Sequence, residues 1–135
     1  SEFFVGALQT SLKDGELVTM VEFKRQSKAR RWAFQEFARR RGDYALAGVA
    51  LHFDLSGGKI ADMHIGVIGA SDHPHRLHKA EAALNGKAAD AQTIAAAVAA
   101  ARAEVQPFND VHATADYRRS LVGTLLERTL ISALN

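Results

Sequence analysis

In GDYALAGVALHFDLSGGKIADMHIGVIG, residues 42–69, apolar side chains alternate with polar or small ones on both sides of a glycine pair. Period-two alternation puts Val49, Leu51, Phe53 and Leu55 on one face of a first strand, and Ala61, Met63, Ile65 and Val67 on one face of a second. The other face carries Ala50, His52, Asp54, Asp62 and His64. Two such runs around Ser56-Gly57-Gly58 make a β-hairpin. Keeping both apolar sets on one side calls for an odd loop, so a three-residue turn with a glycine at positive φ is expected. That register sets Phe53 opposite Ala61, Leu51 opposite Met63 and His52 opposite Asp62. A sheet with one apolar face needs a covering layer, and the segments after the hairpin are the candidates.

Before the hairpin, Phe3-Phe4-Val5 precedes a loop at Gly6, and Lys13-Asp14-Gly15 is a turn signal. Leu17 to Phe23 reads as a strand, with Leu17, Thr19, Val21 and Phe23 on one face and Val18, Met20 and Glu22 on the other. That second face is too apolar for free solvent and suits contact with a ligand, another domain or the rest of this one. Trp32 to Ala38 reads as a further strand, because Trp32, Phe34 and Phe37 outweigh the helix-compatible residues between them.

After the hairpin the period lengthens to that of a helix. Pro74 suits the first turn of a helix running to about Leu84, with Asn85-Gly86 as its stop. Asp90 can cap a second helix whose stripe is Ile94, Val98, Ala101 and Val105, and Pro107 ends it. The alanines around that stripe imply a close helix approach or a thin buried face. Thr114 can cap a third, with Tyr117, Leu121 and Leu125 beside Val122, Leu126 and Leu130. Strands first and helices afterwards predict an α+β fold, an antiparallel sheet of three to four strands covered on one face by three helices.

A chain of 135 residues with 47% hydrophobic residues suits one domain with one core. The absence of cysteine excludes disulfides, thiolate metal sites and cysteine nucleophiles within it. No run approaches the roughly 18 apolar residues of a membrane span. The chain begins Ser-Glu-Phe-Phe, without a methionine, on an apolar stretch, which suggests a fragment of a longer protein.

Residues suited to chemistry are sparse. His73, His75 and His78 are the one metal-like cluster, but a turn entering a helix gives them no rigid frame and Glu81 is the one carboxylate at helical spacing, so no metal site is expected. His52 facing Asp62 resembles a base with its orienting acid, but no nucleophile stands beside the pair, and a cross-strand polar contact is the simpler reading. No catalytic residue is assigned. Eight Lys and Arg between Lys24 and Arg41 are interleaved with aromatics, yet the net charge is only +2 and no recognition element accompanies them, so nucleic acid is not the expected partner.

Several short motifs occur in a familiar order: Phe3-Phe4-Val5-Gly6, Gly15 to Val21, Phe37 to Arg40, Gly42 to Ala50, Gly57 to Ile60, Ala80 to Gly86, and Asp110 to Arg119 with Leu125-Leu126. In that order and spacing the chain resembles, over nearly all its length, the C-terminal domain of the FAD-binding medium subunit of molybdenum hydroxylases, the group of carbon monoxide dehydrogenase and xanthine dehydrogenase flavoproteins. The resemblance implies a cytoplasmic oxidoreductase in which a molybdopterin subunit oxidises a small substrate and 2Fe-2S clusters pass electrons to FAD, which reduces an external acceptor. It implies that the partners are N-terminal FAD-binding domains of the same polypeptide together with the molybdopterin and 2Fe-2S subunits. The glycine-rich loops that hold the nucleotide belong to those domains, so little or no FAD is expected on this chain alone.

The resemblance also implies flavin-side residues. An aliphatic side chain from the strand after the Gly-Glu turn falls on Val18, and a lysine supplied by the aromatic strand in many relatives falls on Gln35 or Glu36. A cation there favours the anionic reduced flavin and a carboxylate opposes it, so this chain departs from the family's electrostatic tuning. Tyr117-Arg118-Arg119 reads as anchoring, with Tyr117 on the buried stripe and the arginines reaching carboxylates or a neighbouring subunit. The alternative to a flavin-subunit domain is a stand-alone binding or dimerisation module of the same fold.

Overall fold

The structure is a computed structural model and describes residues 3–135. A small hairpin, β1 (Phe4–Gly6) and β2 (Gln9–Thr10), comes first. The main sheet follows in the order β3 (Arg31–Phe37), β4 (Ala47–Ser56), β5 (Lys59–Ile68) and β6 (His75–Arg76), every neighbouring pair antiparallel. Helices α1 (His78–Leu84), α2 (Ala91–Glu104) and α3 (Ala115–Leu134) complete the chain. The α+β architecture is the one the pattern of strands and helices predicts.

The β4–β5 hairpin forms by a different route from the expected one. Ser56 pairs with Lys59, leaving a two-residue turn in which Gly57 and Gly58 both have positive φ, 56° and 75°. That is the backbone a type I′ turn requires, and it matches the right-handed twist of the strands. Leu55 then pairs with Ile60 and Asp54 with Ala61, which would carry the wrong residues of β5 to the core. A bulge between His52 and Asp54 corrects this. Asp62, at φ 47°, is the extra residue, and beyond it His52 faces His64 and Leu51 faces Ile65. The buried set on β5 is therefore Ile60, Met63, Ile65 and Val67 in place of the run beginning at Ala61.

Helices α1 and α3 lie on the sheet, α1 against β5 and α3 against β3 and β4, while α2 packs on both of them. Val49, Leu51, Phe53, Met63, Ile65 and Val67 meet Leu77, Leu84, Val122, Leu126 and Leu130, all buried. The alanines of α2 have the close-approach role expected of them: Ala97 and Ala101 are fully buried. The Asp90 carboxylate accepts from Thr93 N–H and the Thr114 hydroxyl from Tyr117 N–H, so both predicted caps are made.

Three expectations fail. Leu17–Phe23 forms no strand, because it pairs with no edge of either sheet; its apolar side chains stand exposed. Pro74 does not start a helix: His75–Arg76 continue the sheet as β6, and α1 begins at His78. Tyr117 lies off the buried stripe of α3, 46% exposed, while Arg118 one position on is 2% exposed. One residue is about 100° of helical rotation, enough to exchange the two faces.

Candidate functional site

With its helices on one side, the main sheet leaves its other side open. Paired residues of an antiparallel ladder share a face. On β3, Arg31, Ala33, Gln35 and Phe37 pair with Phe53, Leu51, Val49 and Ala47 and face the helices, whereas Trp32, Phe34 and Glu36 pair with His52, Ala50 and Gly48 and face away. Trp32 is 75% exposed and Phe34 50%. The central strands carry small residues beneath them, Gly48, Ala50 and Gly66, so the aromatics flank a trough. It deepens into hollows of about 240 Å³ beside Phe4, Phe34 and Pro74 and about 440 Å³ beside Trp32, His64 and Arg76. Gly48 is required here, since a Cβ would lie 2.8 Å from Ile68 Cγ1 and 3.3 Å from Glu36 Cβ.

The expected cofactor-side residues separate. Glu36 is exposed on the open face in line with Trp32 and Phe34, and Gln35 is half-buried on the helix side against Val49. Only one of the two can therefore present itself to a partner on the open face. Val18 is half-exposed in a stretch without regular structure, amid Leu17, Met20 and Val21, which are 65–72% exposed. The turn before it is as expected, with Glu16 N–H donating to Lys13 C=O at 3.0 Å and Gly15 at φ 82°.

At the bulged end of the hairpin a polar network covers the sheet. Arg30, its side chain 6% exposed, donates from Nε to His52 Nδ1 at 2.7 Å and from its terminal nitrogens to Asp54 at 2.6 Å and to the Asp62 backbone carbonyl at 2.8 Å. It also pairs with the Asp62 carboxylate at 2.9 Å. His64 Nε2 lies 2.9 Å from the other Asp62 oxygen, and the His52 and His64 rings stack at 4.6 Å. Burial, then the charge of Arg30 and the proximity of His64, lower the His52 pKa; the hydrogen bond with His64, aided by Arg30, lowers that of Asp62. The expected His52–Asp62 pair is thus replaced by an arginine that links the two residues. Arg30 lay within the basic run, and nothing in the spacing of that run distinguished it.

The other basic and histidine motifs resolve into local contacts. Arg31 donates to the carbonyls of Ala133 and Leu134 and so completes the end of α3. His73 contacts Asp72 at 2.7 Å, and His78 lies 3.3 Å from Glu81. Among the described residues no group of three or more His, Cys, Asp or Glu side chains is arranged to hold a metal. Arg118 and Arg119 both reach carboxylates, Asp110 and Asp116, at 2.6 Å. Tyr44 is 99% exposed just after the Arg40–Asp43 turn and borders a cavity of about 510 Å³ with Ile68 and Asp110. No helix among the described residues is long and apolar enough to cross a membrane.

The model of the CO dehydrogenase flavoprotein C-terminal domain matches residues 32–133. The chain belongs to that family. The match takes in every strand of the main sheet from Trp32 onward and nearly all of α3. Among relatives in this flavoprotein family, the nicotine 6-hydroxylase medium subunit of Paenarthrobacter nicotinovorans is 37% identical over 98% of this chain and 46% of its own length. The carbon monoxide dehydrogenase medium chain of Afipia carboxidovorans is 31% identical over 96% of this chain and 45% of its own. In the solved structure of carbon monoxide dehydrogenase from Hydrogenophaga pseudoflava, one chain superimposes with a TM-score of 0.91 at 33% identity, covering 98% of this chain and 46% of that one. The chain therefore spans about half the length of the relatives it matches, and the open face and the apolar Leu17–Phe23 stretch lie within the aligned region.

Proposed function

We propose that this chain serves as the C-terminal domain of the FAD-binding medium subunit of a cytoplasmic molybdenum hydroxylase, where it completes the flavin pocket and takes part in subunit assembly. The partners in this reading are the N-terminal FAD-binding domains of the same polypeptide and the molybdopterin and 2Fe-2S subunits. The observation that carries it is the superposition, at a TM-score of 0.91, of nearly the whole chain on under half of a carbon monoxide dehydrogenase chain.

The residues present suit a flavin. Leu17, Val18, Met20 and Val21 stand exposed with no covering element among the described residues, and a flat apolar ring or a neighbouring core would remove that surface from water. Val18 is the side chain assigned to the ring, and Glu36 is the group of the β3 pair that can face a partner across the open side. Bound FAD supplies electron transfer between the iron-sulfur clusters and an external acceptor. This chain's own contribution is to bury the ring, exclude water from it and set the charge beside it. No residue is assigned to bond breaking, and the domain is not catalytic alone.

The test is to isolate the protein with its natural partners by an affinity tag and record the visible spectrum and the metal content. Oxidised-flavin absorption together with molybdenum and iron is expected. Release of most of the flavin by a Val18→Asp substitution, with the partners still bound, would place Val18 at the ring. An assembly without flavin would overturn the reading.

A further inference from the structure

We propose that His52 is an acid-sensitive latch: as a neutral imidazole it accepts Arg30 and so fastens the irregular segment before β3 to the bulged end of the hairpin, and its protonation releases that segment. Among the described residues, every hydrogen bond between residues 12–30 and the main sheet is made by the Arg30 side chain. Residues Gln26 to Lys28 beside it border a cleft of about 340 Å³ with Trp32 and His52. The apolar run Leu17–Phe23 lies on this segment, so the latch governs where that run is presented.

The geometry fixes the protonation state. Arginine only donates, so the 2.7 Å contact from Arg30 Nε requires a lone pair on His52 Nδ1 and leaves the ring proton on Nε2. A second proton on that ring would remove the acceptor and set two cations in contact. The charged groups around His52 come from every neighbouring element. Arg30 precedes β3, Asp54 shares β4, Asp62 and His64 lie on β5, and Arg76 is on β6. Of these, Asp62 favours a proton on His52, while Arg30, His64 and Arg76 oppose it.

His64 stacks on that ring, and its Nε2 lies 2.9 Å from one oxygen of the Asp62 carboxylate whose other oxygen meets Arg30. A proton on His52 opens the latch. Folded His52 titrates below the ordinary imidazole value, so opening is confined to acid conditions.

The experiment is amide hydrogen exchange of the protein at about pH 7.5 and about pH 5, corrected for the intrinsic pH dependence, with histidine ¹⁵N spectra alongside. Protection of the Arg30 amide, which donates to Ser27 C=O at 3.2 Å, should fall roughly tenfold at the lower pH, the size expected for losing a hydrogen bond to a charged group. The spectra should show an unprotonated His52 Nδ1 at the higher pH. His52→Gln keeps an acceptor that does not titrate and should hold the protection at both pH values. His64→Gln removes an opposing neighbour and should move the loss to higher pH. Equal protection of the unmodified protein at the two pH values, a pH response that survives in His52→Gln, or a proton on His52 Nδ1 at neutral pH would each overturn the proposal.

Discussion

The Arg118 guanidinium meets the Asp110 carboxylate at 2.6 Å beneath the first turn of α3, and its other terminal nitrogen donates to the carbonyls of Leu46, 2.7 Å, and Gly69, 2.8 Å. Those carbonyls stand at the entry of β4 and just past the end of β5, so one side chain ties the third helix to both central strands. Phe108 packs 4.6 Å from the guanidinium carbon. Burial raises the Asp110 pKa, but donation from the Ala113 and His112 amides and from Arg118 outweighs it and holds the carboxyl down at about 2. The pair therefore persists through mild acid. Arg118→Met should destabilise the fold by about 2–4 kcal/mol, since it takes the donor from the Leu46 and Gly69 carbonyls at about 1–2 kcal/mol each, while Asp110 keeps the amides of His112 and Ala113. Arg118→Lys should recover only part of the loss, because an ammonium cannot reproduce the planar fork. Urea unfolding of the three proteins measures both effects.

Gly58 and Gly69 have nearly the same φ, 75° and 74°, but different surroundings. A Cβ on Gly58 meets nothing within 4 Å, whereas one on Gly69 would lie 2.5 Å from the Ala45 carbonyl oxygen. Gly58→Ala should cost about 1–2 kcal/mol, the left-handed penalty alone. Gly69→Ala should cost about 1–3 kcal/mol more, because backbone must move. Equal losses in thermal unfolding would show that the β5 exit relaxes freely.

What the sequence made legible follows what each pattern encodes. Helices α2 and α3 were readable because Asp90 and Thr114 advertise their caps and Pro107 marks a stop. The hairpin was readable, but its turn was not. Hydrophobic alternation is satisfied equally by a three-residue loop and by a two-residue loop with a bulge, and only the preference of a Gly-Gly pair for a type I′ turn favours the second. The Leu17–Phe23 alternation describes a surface that wants covering and says nothing about whether a strand partner is present. β6 is two residues long and carries no pattern at all. In the candidate site, the choice between Gln35 and Glu36 depended on the phase of β3, which Trp32 and Phe34 obscured because large aromatics occupy the open face instead of the core. The burial of Arg118 is illegible for a related reason: nothing in the sequence brings a charged residue inward unless its partners, here the distant Leu46 and Gly69 carbonyls, are known.

Glu81 gives a pH prediction. It is 5% exposed and accepts from Ile65 N–H at 2.8 Å and from Arg76 at 2.7 and 2.9 Å. Burial raises its pKa, but the hydrogen bonds from Arg76 and Ile65 and the charges of Arg76 and His78 prevail, leaving it below its ordinary 4.5. A carboxylate with a depressed folded pKa stabilises the fold above its unfolded value and loses that contribution as pH falls through the folded one, because the unfolded chain binds the proton first. Stability should therefore be level with respect to Glu81 above pH 4.5 and decline below it. Glu81→Gln should be less stable by about 2 kcal/mol at neutral pH, a figure kept low because Arg76 is partly exposed. Its acid decline should be shallower. A variant whose acid decline matches that of the unmodified protein would show that the carboxylate's charge does not contribute.

Glu36 tests the electrostatic part of the proposed function. It stands exposed on the open face, its Cβ held close over Gly48, and it is the one of the two residues, Gln35 and Glu36, matched by the resemblance to the family lysine that faces this side. A carboxylate beside a flavin opposes the charge gained on reduction and a cation favours it. Glu36→Lys changes the local charge by two units, so in the isolated flavin-containing protein the flavin potential should rise by about 20–40 mV, roughly 1–2 kcal/mol for a two-electron couple across water-exposed distances. Glu36→Gln should give about half that rise. Gln35→Lys should instead destabilise the domain, because Gln35 faces the helices opposite Val49 and an ammonium there loses its hydration. A potential unchanged by Glu36→Lys, measured by spectroelectrochemistry, would place the flavin away from this end of β3 and shift attention to the loop that ends at Tyr44.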